Sequence, residues 1–392
     1  MAELKLDLTA DGPLYRQIFE HMRQMIDSGA LAAGVKLPTT RQLAEALQVN
    51  RATILAAYEK LASAGLVSGE VGRGSFVKSS ARRIDWGELS PAGAARPPGT
   101  GGEEISFATA RPAEPLFPLE EFRAACNEVL ASAELPSLLQ LGSPAGYGPL
   151  RQRLLEESRR EGAARDGDAV LVTNGCQQAL DLIARSLVRP GDRVAVEDPV
   201  YPGLKNLLLQ AGARLVGIPV GPEGIEIPAL AAAIEHDRPK LLVITPNFQN
   251  PTGATIPERS RESLLRLASS AGTVVVENDP YGELRYRGAP IPSLKRLDPA
   301  GDVILLRSFS KAGFPGLRVG WIVAPEAAVA RLAEAKQLCD LHTDQFSQAV
   351  MLRFLESGRL DSHRQRVREA GAARLDAVLG AARRHLPRNA RV

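Results

Sequence analysis

Behind Pro13, Leu14, Ile18, Met22 and Ile26 recur at every fourth position, the spacing of one buried stripe on a helix that a proline can open. Gly29 and Gly34 then break the chain. Thr39 begins T-T-R-Q, where its hydroxyl suits a helix N-cap and Gln42 the reciprocal place in a capping box. Leu43, Ala44 and Leu47 give that helix a core face, and Asn50 suits the cap of a third helix that buries Ile54, Ala57, Tyr58 and Leu61. Gly65 ends it, and LVSGEVGRGSFV follows as a two-stranded wing with a glycine-rich tip. Residues 79–104, rich in Pro, Gly, Ser and Ala, have the composition of a linker. From Ile105 the pattern changes. The apolar runs AVLVT, RVAVE, KLLVIT, TVVVE and DVILL alternate with helical segments, as in a mostly parallel sheet with helices on both faces. The predicted class is therefore α/β from 105 to 392, preceded by a small domain at 1–78 and a linker at 79–104.

Composition narrows this picture without redirecting it. The 392 residues are 44% hydrophobic and 24% charged, which excludes fibrous and disordered classes. No stretch approaches the roughly 20 apolar residues that a membrane helix needs, and the first residues carry no apolar run. A cytoplasmic protein with no membrane partner is expected. Cys126, Cys176 and Cys339 are odd in number, widely spaced and without a metal-ligand pattern, so reduced thiols and no metal site are expected. A net charge of +3 is too small to imply nucleic acid by itself.

A local motif does imply it. Helix, turn, helix and wing is a geometry that offers the N-terminal side chains of one helix to base edges in the major groove. Thr39, Arg41, Asn50, Arg51, Thr53 and Arg73 would then lie near DNA, the arginines pairing with phosphates or guanine edges. Residues 1–78 carry nine Lys/Arg against eight Asp/Glu, so charge alone is equally compatible with a solvated helical cap. The pattern decides otherwise: G-x-K-L-P-T-T-R-Q-L-A, V-N-R-A-T-I-L-A-A-Y-E-K-L and G-R-G-S-F-V resemble the GntR-type winged helix-turn-helix throughout its length.

Four further segments carry chemistry, each where an apolar run ends, which in open α/β sheets is the ligand-binding edge. In V-L-V-T-N-G-C-Q-Q, a strand enters a helix through Gly175, Cys176 and Gln177, a natural phosphate seat. Cys176 suits a small residue beside a phosphate better than a nucleophile, since nothing nearby supplies a base. In I-T-P-N-F-Q-N-P-T-G, Asn250 stands among structure-punctuating residues and its amide can donate to a phenolate oxygen; an ordinary Asn-Pro turn is the alternative. In T-V-V-V-E-N-D-P-Y, Asp279 follows a buried strand, where a carboxylate can keep a pyridine nitrogen protonated, and Tyr281 can share the phenolate; a capping Asp is the alternative. In L-L-R-S-F-S-K-A-G-F-P-G-L-R, Lys311 can form an imine, and Ser308, Ser310 and Arg318 can bind a phosphate; a surface lysine is the alternative. Together, in this order, they describe a phosphate-anchored pyridine aldehyde.

Through its NPTG, DPY and S-x-S-K-x6-R motifs, the region 105–392 resembles the fold-type I aminotransferases, and with the GntR-like module the chain resembles the MocR/GabR family of transcriptional regulators that bind pyridoxal 5′-phosphate (PLP). The resemblance implies Lys311 as the lysine bonded to PLP and Asp279 on the pyridine nitrogen. It also implies Asn250 and Tyr281 on the 3′-oxygen, Ser308, Ser310, Arg318, Gly175, Cys176 and Gln177 at the phosphate, and Tyr201 stacked on the ring. Three departures stand out. Leu141-Gly142-Ser143-Pro144-Ala145-Gly146-Tyr147 lacks a tyrosine that relatives often lend across a dimer. Asn278 replaces a more usual acidic residue beside Asp279, which reads as a milder change. The chain stops at R-H-L-P-R-N-A-R-V, where the resemblance implies the rest of a small C-terminal domain with a carboxylate-binding arginine; neither Arg388 nor Arg391 sits in that motif. The expectation is a homodimeric regulator that binds operator DNA and senses an amino acid or amine, with an aminoadipate-like aminotransferase as the rival.

Overall fold

The computed structural model of the chain describes residues 12–70, 74–78, 111–387 and 390, so the expected linker, Arg73, Arg388 and Arg391 lie outside the described residues. The chain divides into two compact units between Glu104 and Ile105.

The first unit contains α1 (Leu14–Asp27), α2 (Thr40–Ala46), α3 (Arg51–Ser63), β1 (Val67–Glu70) and β2 (Gly74–Val77). Ile18, Met22, Leu43, Ile54 and Leu61 meet in one core with Val67 and Val77 of the wing. Leu14 stays exposed, so the buried stripe of α1 begins at Ile18. The strands of the wing are antiparallel, with Val67 opposite Val77. Val35 and Leu37 add backbone hydrogen bonds along β2, which ties the wing to the chain that enters α2.

The second unit is built on an eight-stranded sheet of order β3-β10-β9-β8-β7-β4-β5-β6. Five strands match the apolar runs: β3 (Asp168–Thr173), β4 (Arg193–Asp198), β7 (Leu241–Ile244), β8 (Val274–Asn278) and β9 (Ile304–Ser308). To these the structure adds β5 (Arg214–Gly221), the short β6 (Gly224–Ile225) and β10 (Gly320–Pro325). The pairs joining β5, β4, β7, β8 and β9 are parallel, whereas β10 runs antiparallel to both neighbours. Helices cover both faces, and successive side chains alternate between them. Val243, Val276 and Leu306 face helix Gly175–Leu187, while Leu242 and Val275 face helix Glu258–Ala271. Parallel pairing brings the C-terminal ends of β7, β8 and β9 to one edge, with Ile244 beside Glu277 and Asn278 beside Leu306. Most of the residues expected at a cofactor site gather on that edge.

Candidate functional site

At this edge lies a cavity of about 360 Å3 whose lining includes Thr245, Asn278 and Ser308 from the ends of β7, β8 and β9. Cys176, Gln177, Tyr201, Asn250, Tyr281, Ser310, Lys311 and Arg318 complete much of the wall. Residues spread over 140 positions of sequence thus converge, since strand ends close one after another along the sheet.

One end of the cavity is made for an anion. Helix Gly175–Leu187 has no side chain capping its N-terminus, which leaves first-turn N–H groups and the helix dipole available to a ligand. Arg318 lies against this turn, its Nη2 donating to the Asn174 carbonyl at 3.0 Å. Ser308 Oγ donates to Ser310 Oγ at 2.8 Å and accepts from the Ser310 backbone N–H at 3.0 Å, so both hydroxyls are held beside the arginine. Burial pushes the Cys176 thiol up to about 12, which keeps it neutral and fits a spacer more than a nucleophile.

The other end suits an aromatic aldehyde. The Lys311 ammonium is 5.6 Å from the Tyr281 ring centre, and burial lowers its pKa, favouring the uncharged amine that can attack a carbonyl. Burial raises the Tyr281 hydroxyl, and its hydrogen bond with Asn250 opposes that shift; the two groups expected on one phenolate oxygen already meet. Tyr201, 39% exposed, places its hydroxyl 3.4 Å from Gln177 Oε1 at the cavity mouth.

Asp279 is placed differently from the other expected residues. Its Oδ1 accepts from Asn247 Nδ2 and from the Gly282 N–H, both at 3.0 Å, and it borders a separate cavity of about 570 Å3. Asn247 Oδ1 in turn accepts from Arg261 at 2.7 Å and Arg285 at 3.1 Å. The carboxylate is therefore held in a polar network behind the strand end. Asn278, two residues beyond Val276 and on the same face, lines the Lys311 cavity in its stead.

Residues 110–374 match the family Aminotransferase class I and II, and residues 14–77 match Bacterial regulatory proteins, gntR family. The chain belongs to the class I and II aminotransferase family. Among relatives, the probable rhizopine catabolism regulatory protein MocR of Rhizobium meliloti is 32% identical over 98% of this chain and 80% of its own length. The 2-aminoadipate transaminase of Thermus thermophilus is 38% identical over 73% of this chain and 71% of its own. The crystal structure of Pyrococcus horikoshii kynurenine aminotransferase in complex with PMP superposes with a TM-score of 0.70 at 36% identity, over 72% of this chain and 71% of that one. The architecture is thus a GntR-type regulator fused to an aminotransferase-like domain, as in MocR-type proteins, and the cofactor of the family is PLP. The residues present fit that group, with an uncapped helix end, an arginine and paired serines for the phosphate, and Lys311 beside the Asn250–Tyr281 pair.

A second cavity of about 400 Å3 shares Arg111, Tyr281 and Lys311 with the first. Its remaining wall is largely apolar, with Phe117, Leu284, Tyr286 and Val367, joined by His363 and Arg374. Sequence reasoning missed this chamber and also missed Arg111 and Thr245. Thr245 closes the KLLVIT run, so the strand-end rule that found Ser308 applies to it equally.

In the gntR-family unit the expected caps are present. Thr39 Oγ1 accepts from Gln42 N at 3.3 Å while Gln42 Oε1 accepts from Thr39 N at 3.0 Å, and Asn50 Oδ1 accepts from Ala52 N at 2.9 Å. Arg41 and Arg51 are exposed at the first turns of α2 and α3, and Thr53 is half-buried on α3. Arg51 also donates to Thr40 Oγ1 at 3.3 Å, which links the two helices of the turn.

Proposed function

We propose that the chain is a cytoplasmic, homodimeric regulator that binds operator DNA through α2 and α3 and senses an amino acid or amine at Lys311. The observation that carries this reading is one chain holding both a winged helix-turn-helix with exposed Arg41 and Arg51 and a cavity built around Lys311. Among the described residues no helix is long and apolar enough to cross a membrane. Leu139 and Leu141, 72% and 77% exposed, support a face covered by a second copy.

When bound, the cofactor supplies an aldehyde that condenses with amines and a ring that withdraws electrons from the neighbouring carbon. Ser308, Ser310, Arg318 and the helix at Gly175 would hold its phosphate. Asn250 and Tyr281 would orient its 3′-oxygen, and Lys311 would supply the amine that the effector amine competes with. The adjoining chamber accepts the effector's side chain, and its Phe117, Leu284 and Tyr286 favour an apolar one. The effector switches DNA binding only by favouring one arrangement of the dimer over another.

Two measurements test this. The purified chain should show the absorbance of lysine-bound PLP, which Lys311→Ala should abolish. A gel shift with the chain's own upstream region should show sequence-preferring binding that the effector alters. Absent DNA preference, together with brisk conversion of an amino acid to its 2-oxo acid, would instead establish the aminotransferase reading that the Thermus relative favours.

A further inference from the structure

The Asn278 side chain lines the Lys311 cavity, and its Oδ1 is sealed from solvent with no hydrogen-bond partner. A sealed amide oxygen fixes which end of the side chain is hidden, and the Nδ2 of an amide that lines a ligand cavity can donate to an acceptor on the ligand. The chemistry of PLP identifies that group. Its phosphate arm, aldehyde and 3′-oxygen occupy adjacent ring positions, here assigned to Arg318 with Ser308 and Ser310, to Lys311, and to Asn250 with Tyr281. The ring nitrogen lies opposite the aldehyde carbon, so a ring anchored by those three groups would turn it toward the strand ends, where Asn278 closes β8 between β7 and β9.

Resting on the PLP site at Lys311, we infer that Asn278 is the hydrogen-bond partner of the ring nitrogen and leaves that nitrogen unprotonated, so that the chain captures amino acids without efficiently converting them. A pyridinium needs a nearby anion, since burial and neighbouring cations both disfavour its charge. Among the described residues lining the cavity there is no Asp or Glu. The charged and titratable groups that do face it are Arg111, Arg318, Lys311, Cys176, Tyr201 and Tyr281. Asp279 stands beyond the strand end with both carboxylate oxygens turned to Gly282, whose added Cβ would meet them at 2.5 and 2.8 Å. Its charge reaches Cys176 as a field, and Arg261 and Arg307 answer it from the other side.

Exchange of one amine for another at the aldehyde carbon needs only a free amine and a proton shuttle. Breaking the Cα–H bond of the amino acid needs more, because the proton goes to a base such as Lys311 while the electron pair must enter the ring. A neutral ring accepts that pair poorly. The effector is therefore held and released intact, which suits a sensor whose output should follow effector concentration.

The test uses the full chain reconstituted with PLP carrying nitrogen-15 in the ring. The ring nitrogen of the wild-type protein is expected to resonate as a neutral pyridine at neutral pH, and that of Asn278→Asp as a pyridinium. The same variant is expected to convert bound amino acid to 2-oxo acid roughly 100-fold faster, with absorbance changes on amino acid binding present in both proteins. A pyridinium resonance in the wild-type protein overturns the inference while leaving the PLP site intact, and that measurement needs no variant to fold. An Asn278→Asp resonance identical to wild type overturns it also. No ring resonance in protein incubated with the cofactor removes the Lys311 site itself, and the inference with it.

Discussion

Nη2 of Arg318 stands 2.6 Å from the point where a Cβ on residue 175 would be placed, and Gly175 itself has φ +80°. Both the guanidinium and the left-handed backbone therefore require glycine at the turn into helix Gly175–Leu187, and strain of this kind costs about 1–3 kcal/mol. Gly175→Ala is expected to push Arg318 aside and to weaken PLP binding by roughly 10-fold or more. Titration of the apoprotein with PLP, followed by absorbance, checks this. Unchanged affinity would show that Arg318 holds no phosphate.

Glu197, 3% exposed at the end of β4, accepts from Thr245 N at 3.1 Å through one oxygen and has no partner for the other. Burial pushes its carboxyl up to about 8. An unfolded glutamate titrates near ~4.3, so between the two values the folded chain holds a proton that the unfolded chain has lost. Stability falls as pH rises through that window. Glu197→Gln keeps the shape and removes the ionisation, and at about pH 9 the variant is expected to be more stable than wild type by the order of a few kcal/mol. Denaturant unfolding at acid and alkaline pH measures the difference; parallel pH profiles for the two proteins would contradict it.

Lys295 Nζ and Asp168 Oδ1 are 2.9 Å apart with side chains 1% and 5% exposed, joining helix Leu294–Leu297 to the start of β3. Lys295→Met strands a buried carboxylate and is expected to cost about 3–5 kcal/mol of stability. Adding Asp168→Leu to that variant should recover most of the loss. Thermal or chemical unfolding of the single and double variants tests the pair, and a single-variant loss below about 1 kcal/mol would show that the charges are effectively solvated.

Arg51 opens α3 and is exposed, as a residue reading a base edge must be in the free protein. Arg51→Ala is expected to lose about 1–3 kcal/mol of operator affinity and to relax preference at one base pair. Competition between operator and scrambled duplexes at fixed salt reads both effects. Equal loss on both duplexes would assign Arg51 to a phosphate, and unaltered affinity would remove it from the interface.

Much of the first unit was legible because its signals are local. Capping at Thr39 and Asn50 depends on residues within three positions, and the α3 core positions follow helical spacing. The sheet was legible in β3, β4, β7, β8 and β9, where continuous apolar runs stand out. It was less so at β5, where Gly217 and Pro219 interrupt the run, at the two-residue β6, and at β10, whose short apolar stretch lies between Gly320 and Pro325. The chamber with Phe117 and Tyr286 left no local trace, since its wall joins residues more than 250 positions apart, from Pro112 to Val378.

By itself, the sequence determined the two modules and the strand-to-loop positions that line the cavity, Lys311 among them, because each follows from periodicity or from residue types at the ends of apolar runs. Which of Asn278 and Asp279 lines the Lys311 cavity was left to the tertiary structure. The run T-V-V-V-E-N-D carries Val275 and Val276 on opposite buried faces, so apolar character cannot say which side of the sheet the strand end presents to the cavity. Packing decides it: Val276 faces helix Gly175–Leu187, Asn278 follows on the same side, and Asn247 and Gly282 claim the carboxylate of Asp279. A substitution that looked mild in the sequence stands in the wall of the Lys311 cavity.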